Sequence, residues 1–357
     1  MMHRRERGAV FALVAATVAL IPACGKKPVE INPITPSFSV NRQRAPLGSA
    51  VEVTYTWVLD QNAKKVGDYR ALVHFLDPHK TVLFTDDHVP TPPPSSWEAG
   101  KTYTYKRTVF IPVYPYVGPV RVAMGLYATG GKGGRIALKG EDLGLGAYKV
   151  ATMDLLPKQD NLVLVYKEGW YNPETRPDNP QVEMTWSKRD AVVSFKNPKK
   201  DVVLYLEGDT CFKCFPTAPV LTVSVGGKTG LSVPIESAEL FLKKIRFKAQ
   251  DLGNDDFVDV HFTMNQSFIP KNLGMNDDVR DLALTVYHIF VGEADVLGSV
   301  DGVEDAGPVT VPTEKAGKGA ATTKAPAVSK APGVSKSPVP AKPPTGTKSP
   351  SPAAKKN

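Results

Sequence analysis

Between residues 35 and 298 apolar and polar side chains alternate with a period of two. Val51, Val53, Tyr55, Trp57 and Leu59 interleave with Glu52, Thr54 and Thr56, which gives one face to a core and one to water. The same pattern predicts strands at Tyr69–Leu76, Thr102–Phe110 and Val120–Tyr127, then at Ala191–Lys196, Val202–Glu207, Val220–Val225, Phe257–Met264 and Leu282–Val291. Breaker clusters such as Asp77-Pro78-His79-Lys80 and Pro90–Pro94 separate them. Only Glu236–Phe247 offers a helical period, and its Lys243, Ile245 and Phe247 suit a strand equally well. Short strands at this spacing predict an all-β protein of two consecutive antiparallel β-sandwiches. They are placed at 49–155 and 161–299, meeting at Leu155–Asp160, and each is long enough to build its own core. Residues 24–48 are read as a linker.

The two ends of the chain follow other rules. Residues 1–23 hold the basic Arg4, Arg5 and Arg7 and then an apolar run from Ala9 to Ala23. That order is a secretory signal, and the run falls short of the ~20 apolar residues that span a bilayer. Residues 300–357 are dominated by Ala, Pro, Lys, Ser, Thr, Gly and Val. Such a composition buries too little apolar surface to offset its ordering entropy, so a disordered tail is expected. Lys318, Lys324, Lys330, Lys336, Lys342 and Lys348 recur every six residues. The tail reads either as a solubilising spacer or as a polycation that contacts anionic envelope polymers.

Charge confirms that division of labour. The net charge of +8 comprises +2 in residues 1–23 and +9 in residues 315–357, which leaves the body at −3. A slightly acidic body does not suit a nucleic-acid-binding domain, and no nucleic-acid partner is expected.

Ile21-Pro22-Ala23-Cys24 resembles the lipobox of bacterial lipoproteins. The resemblance implies cleavage before Cys24, acylation of its sulfur and new N-terminus, and a membrane partner through the lipid anchor; several acyl chains hold where one is marginal. Gly25 in place of Asp implies outer-membrane rather than inner-membrane sorting, on the periplasmic or surface face. The first sandwich carries Tyr69 to Asp77, Asp86-Asp87-His88-Val89-Pro90, Trp97-Glu98-Ala99-Gly100 and Val122 to Tyr127. That order resembles an extracytoplasmic sandwich found beside bacterial sugar-transfer and polysaccharide proteins. The second carries Gly169-Trp170-Tyr171-Asn172-Pro173-Glu174, Met184-Thr185-Trp186-Ser187 and Asp277 to Leu284, similar to an accessory sandwich of envelope glycosyltransferases. The two resemblances imply an association with glycans and little more.

Candidate chemistry is sparse. Cys211-Phe212-Lys213-Cys214 lies between strands and lacks the ligands of a haem or zinc site. Outside the cytoplasm a small structural disulfide is expected, with redox or metal chemistry as the alternative. Trp97, Trp170 and Tyr171 either stack on sugar rings or plug the cores and the junction between them. Asp86-Asp87, Asp255-Asp256 and Asp277-Asp278 either gather oxygen ligands for calcium or serve as turn residues. No nucleophile elbow, zinc helix, phosphate loop or dinucleotide fingerprint occurs. Gly130-Gly131-Lys132-Gly133-Gly134 has no helix pattern behind it and reads as a hairpin tip. The expectation is a non-catalytic envelope lipoprotein without cofactor or metal, whose sandwiches bind or scaffold glycan or protein partners. A carbohydrate-active enzyme or accessory subunit, and a purely structural spacer, are the alternatives.

Overall fold

The structure, a computed structural model, describes residues 30–113, 116–128, 134–158, 163–177 and 179–309. The expected signal at 1–23, Cys24 and the chain from 310 onward lie outside the described residues, as do Lys132 and Asp160. The protein is all-β, with two sandwiches in sequence.

The first sandwich packs a three-stranded sheet on a larger one. The smaller sheet runs β1 (Ile34–Val40), β3 (Ala50–Leu59), β6 (Thr102–Phe110). The larger runs β2 (Arg44–Pro46), β9 (Ala147–Leu156), β7 (Gly118–Ala128), β4 (Tyr69–Leu76), β5 (Val82–Thr85), and β8 (Glu141–Gly144) folds back on β9. Alternation does the work: Val53, Tyr55 and Trp57 of β3 are buried against Val73 and Phe75 of β4 and Val120, Val122 and Met124 of β7.

The second sandwich has two six-stranded sheets. One runs β10 (Leu164–Tyr166), β13 (Asp190–Lys196), β18 (Phe257–Met264), β15 (Val220–Val225), β16 (Thr229–Pro234), β21 (Gly307–Pro308). The other runs β11 (Glu174–Arg176), β12 (Asn179–Trp186), β19 (Thr285–Glu293), β14 (Val202–Asp209), β17 (Phe241–Phe247), β20 (Val303–Asp305). Pairing is antiparallel except for β2 on β9 and β20 on β17.

β14 is buried on both faces. Val202, Leu204 and Leu206 point into the second core. Val203 and Tyr205 point out of the sheet and form a separate apolar cluster with Ala50, Phe290 and Leu297, flanked by Phe110. This outer face is the junction between the sandwiches, and the described residues belong to one compact unit. The Phe110 ring lies flat on His288 at 4.3 Å. Lys244 reaches Glu52 across the junction at 2.9 Å, with both side chains about nine-tenths buried. Asn41 Nδ2 donates to the Leu297 carbonyl at 2.7 Å.

Two expectations require correction. Residues 24–48 are not simply a linker, because β1 and β2 belong to the first sandwich and Ile34, Phe38 and Ala45 are buried in its core. The tail begins later than 300, because β20 and β21 extend both sheets of the second sandwich as far as Pro308. Within the stretch expected to be either helix or strand, Phe241–Phe247 is a strand that buries Ile245 and Phe247.

Candidate functional site

Three of the four tryptophans are spoken for by packing. Trp97 is 3% exposed, stacks on Tyr103 at 5.4 Å and donates its indole N–H to the Pro92 carbonyl at 2.9 Å. Trp57 is fully buried beside it. Trp170 packs edge-on against Phe262 in the second core and donates to the Val192 carbonyl at 2.8 Å. The sugar-stacking role considered for Trp97 is therefore corrected, because its ring fills apolar volume, whereas Trp170 is half-buried with its ring packed against the second core. Tyr171 is half-buried at the surface, with the cations of Arg280 at 5.2 Å and Lys188 at 5.7 Å near its ring.

The fourth tryptophan, Trp186, lines a groove of about 440 Å³ at one end of the second sandwich. Its apolar surface comes from Met184 and Trp186 at the end of β12 and from Phe268, Pro270 and Met275 in the loop after β18. Its polar wall is an ion cluster. Arg280 donates to Asp278 through Nη2 at 2.7 Å and Nε at 3.0 Å, and to Glu174 through Nη1 at 2.7 Å. Asp278 also accepts the Arg280 backbone N–H at 2.9 Å. These hydrogen bonds from Arg280 hold the Asp278 carboxyl below its ordinary value, and the two carboxylates raise the Arg280 guanidinium above its own.

Strand geometry brings a second polar set to the groove. The register of β14 against β19 shifts at Glu207/Gly208, so β19 carries one residue more, Tyr287, across the shift. Such bulges re-aim side chains. Tyr287 donates its hydroxyl to Asp209 at 2.7 Å and lies under Arg176 at 5.8 Å. Next to it Thr285 is 1% exposed and lines the groove, yet its hydroxyl has no hydrogen-bond partner among the described residues. A buried hydroxyl left so costs ~1–3 kcal/mol.

Cys211 and Cys214 form a disulfide, and Cys211 lines the same groove. The bridge closes a turn of 3-10 helix, Phe212–Cys214, and packs with Phe215 and Phe268. So short a loop removes little denatured-state entropy, so Cys211→Ser/Cys214→Ser is expected to cost about 2 kcal/mol or less. Urea melts of the double variant check this, and alkylation of both thiols in the folded protein without reductant would refute the bridge itself.

The acidic pairs sit in different settings. Asp86 and Asp87 hold hydrogen bonds inside the first sandwich, and Asp255 offers its carbonyl to Asn197 at 3.0 Å. Asp277 is exposed, 3.9 Å from Lys271. Among the described residues no group of three or more His, Cys, Asp or Glu is gathered as for a metal ion.

The groove residues that sequence reasoning missed as a site are Glu174, Asp209, Arg280, Thr285 and Tyr287. Arg280 and Glu174 are separated by 106 positions, and no spacing rule joins them.

No protein-family model matches the chain, and no curated protein matches it. Among solved structures the chain is similar to a family GH115 4-O-methyl-α-glucuronidase, BtGH115A, with specificity for decorated arabinogalactans: 12% identity, TM-score 0.27, covering 42% of this chain and 20% of that one. It is similar to β-glucuronidase 2 of Bacteroides uniformis at 11% identity and TM-score 0.24, covering 72% and 30%. It is also similar to the CBM22-1–CBM22-2 tandem of Paenibacillus barcinonensis Xyn10C at 9% identity and TM-score 0.22, covering 75% and 95%. The chain spans a fifth to under a third of the two glycosidases' length, and at these TM-scores the likenesses say nothing about what it does.

Proposed function

We propose that the chain is an extracytoplasmic lipoprotein, anchored through Cys24, that binds glycan without transforming it, and that the groove on the second sandwich is its binding site. One observation supports this most: an apolar surface formed by Trp186 and Phe268 meets the braced Arg280–Asp278–Glu174 cluster in one cleft. A pyranose has an apolar face that suits an aromatic surface and vicinal hydroxyls that suit paired carboxylate and guanidinium groups. Arg280 is held rigid before any ligand arrives, which lowers the ordering cost of binding.

The same cluster speaks for binding over hydrolysis. A glycosidase needs one carboxylic acid kept protonated, and Arg280 pulls the Asp278 carboxyl the other way. Glu174 accepts a hydrogen bond from the same guanidinium.

The test is a glycan array of envelope and plant polysaccharides followed by calorimetry. Trp186→Ala and Arg280→Ala are each expected to weaken binding about tenfold or more, because each removes roughly 1.5–3 kcal/mol of buried apolar or charge-assisted contact. Affinity unchanged in both variants would remove the groove from consideration. Product formation from the bound glycan, lost in Asp278→Asn, would replace the binding reading with an enzymatic one.

A further inference from the structure

At the tip of the β8–β9 hairpin, Leu145 is 87% exposed. It sits at φ 56°, between Gly144 at 105° and Gly146 at 68°. Glycine enters that left-handed region freely and leucine does not. The chain thus holds a large apolar side chain in water, on a backbone conformation that disfavours it. Local folding gains nothing from this arrangement.

Two cations are fastened to the same turn. Arg135 donates to the Leu145 carbonyl at 2.5 Å, and Lys80 donates to the Leu143 carbonyl at 3.1 Å. Among the described residues neither Arg135 nor Lys80 has a carboxylate within ion-pair distance, so both present charge beside the leucine. Asp142, which lines the same groove, accepts the Gly144 N–H at 2.7 Å, and Glu141 is paired with Lys149.

The tip also marks where the described chain enters the fold. Ile31, 57% exposed, lines one groove of about 630 Å³ together with Leu145, Arg135 and Leu138. Asn32 donates its backbone N–H to Ala137 at 2.8 Å, which fixes the entry point at this end. Only six residues, Gly25 to Glu30, separate Cys24 from Ile31, a reach of at most ~25 Å from anchor to groove.

We propose that this end of the first sandwich lies on the bilayer, with Leu145 and Ile31 entering the interface and Arg135 and Lys80 meeting anionic lipid headgroups. The inference rests on Cys24 as the lipid anchor. An exposed leucine flanked by two cations fits the boundary between headgroups and acyl chains. The anchor supplies most of the affinity, and the tip adds a weaker contact that fixes the orientation of the body. The glycan groove, built on the other sandwich, is then held at a set angle to the membrane rather than swinging on a tether.

The chain has three cysteines, two of them in the disulfide. With Cys24 acylated, Leu145→Cys introduces a single free thiol for an environment-sensitive fluorophore. The full acylated chain is reconstituted on phosphatidylethanolamine–phosphatidylglycerol vesicles, with Leu240→Cys on the second sandwich as the reference. The expected result is a blue-shifted emission quenched by brominated lipid at 145 and an aqueous, unquenched emission at 240. A chain that floats with the vesicles while its label at 145 stays aqueous overturns the proposal and leaves the anchor intact. Two labels per chain, with no flotation, show Cys24 free and overturn both. In the unanchored Cys24→Ser chain, Leu145→Gly is expected to weaken flotation about tenfold, since one leucine's worth of apolar burial is lost. Its Tm should not fall, and a fall would show that Leu145 serves the fold instead.

Discussion

Asp86→Ala should destabilise the protein by about 3 kcal/mol, the scale of a broken buried charge network, and the loss should fall on the first sandwich. Asp86 sits in the turn after β5, where its carboxylate accepts the Tyr55 hydroxyl at 2.8 Å and a two-pronged contact from Arg107 at 2.8 and 3.0 Å. His88, on the same turn, continues the network to the Tyr105 hydroxyl at 2.7 Å, and Tyr105 in turn accepts from Trp57 at 3.4 Å. Removing the carboxylate strands a buried phenol and a partly buried guanidinium together. Burial alone would raise the Asp86 carboxyl, but hydrogen bonds from His88 and Arg107 outweigh it and hold the group below its ordinary value.

The sign of the pH dependence follows. The unfolded chain binds the Asp86 proton at higher pH than the folded one, so this stability is complete above the unfolded value of ~3.9 and is lost as pH falls through the folded value. His74 adds a slope at higher pH. Burial, opposed by Asp87, holds its imidazole below its ordinary value. The unfolded chain therefore takes up that proton first as pH falls through ~6.5, and the fold weakens there too. Urea melts from pH 7 to 3 should show stability declining in both windows. The lower decline should become shallower in Asp86→Asn, the remainder belonging to other carboxylates held below their ordinary value, Asp278 among them. A flat profile in the parent protein would refute the account.

Alternation is clearest in strands that send every second side chain into a core: Thr102–Phe110, Val220–Val225 and Phe257–Met264 fold over the predicted residues. Tyr69–Leu76 also folds where expected, although Leu72 and Leu76 are buried on its second face as well. β1 was hidden by Pro36. Proline is tolerated on an edge strand, and β1 is the edge of its sheet. β20 and β21 are two or three residues long, too short for any period to register. β14 was legible as a strand, but its second apolar face had no visible destination. Val203 and Tyr205 are buried by a partner sandwich whose packing no local pattern encodes.

The candidate site was less legible than the fold. Residue type singled out Trp97, Trp170 and Tyr171, whereas accessibility decides which aromatic can meet a ligand. Trp97 lies in the loop before β6 and is folded into the core beside Trp57, whereas Trp186 ends β12 at the rim of the groove. Asp278 and Arg280 were visible as a charged turn, but Glu174 reaches them only because β11 folds beside the loop after β18. The Tyr287 bulge exists only in the pairing of β14 with β19. Such features arise from register, which alternation within one strand does not specify.

Lys244→Met should have the largest effect of all, about 3–5 kcal/mol, because it leaves a buried carboxylate uncompensated. The Lys244 side chain is 9% exposed and that of Glu52 10%. Lys244 also donates to the Asp301 carbonyl at 3.0 Å and lies over the Tyr205 ring at 5.6 Å. Glu52 takes a further hydrogen bond from Thr108 at 3.1 Å. The pair joins β3 of one sandwich to β17 of the other, at the edge of the apolar junction formed by Ala50, Val203, Tyr205 and Phe290. Two charges drawn from water recover their desolvation cost only through each other, so the single and double variants should differ sharply. Glu52→Gln should be milder than Lys244→Met, since a neutral amide keeps the Thr108 contact. Lys244→Met combined with Glu52→Leu should regain much of the loss, because two apolar side chains extend the junction cluster without stranding a charge. The melt should also change shape. The parent should unfold in one transition, both cores being tied through the junction. In Lys244→Met the sandwiches should come apart into two transitions, each belonging to one core. Intrinsic fluorescence reports this directly, since Trp57 and Trp97 sit in the first sandwich and Trp170 and Trp186 in the second. A single transition displaced by less than ~1 kcal/mol, the range of an exposed pair, would show that the ion pair is incidental and that the apolar contacts alone hold the two sandwiches together.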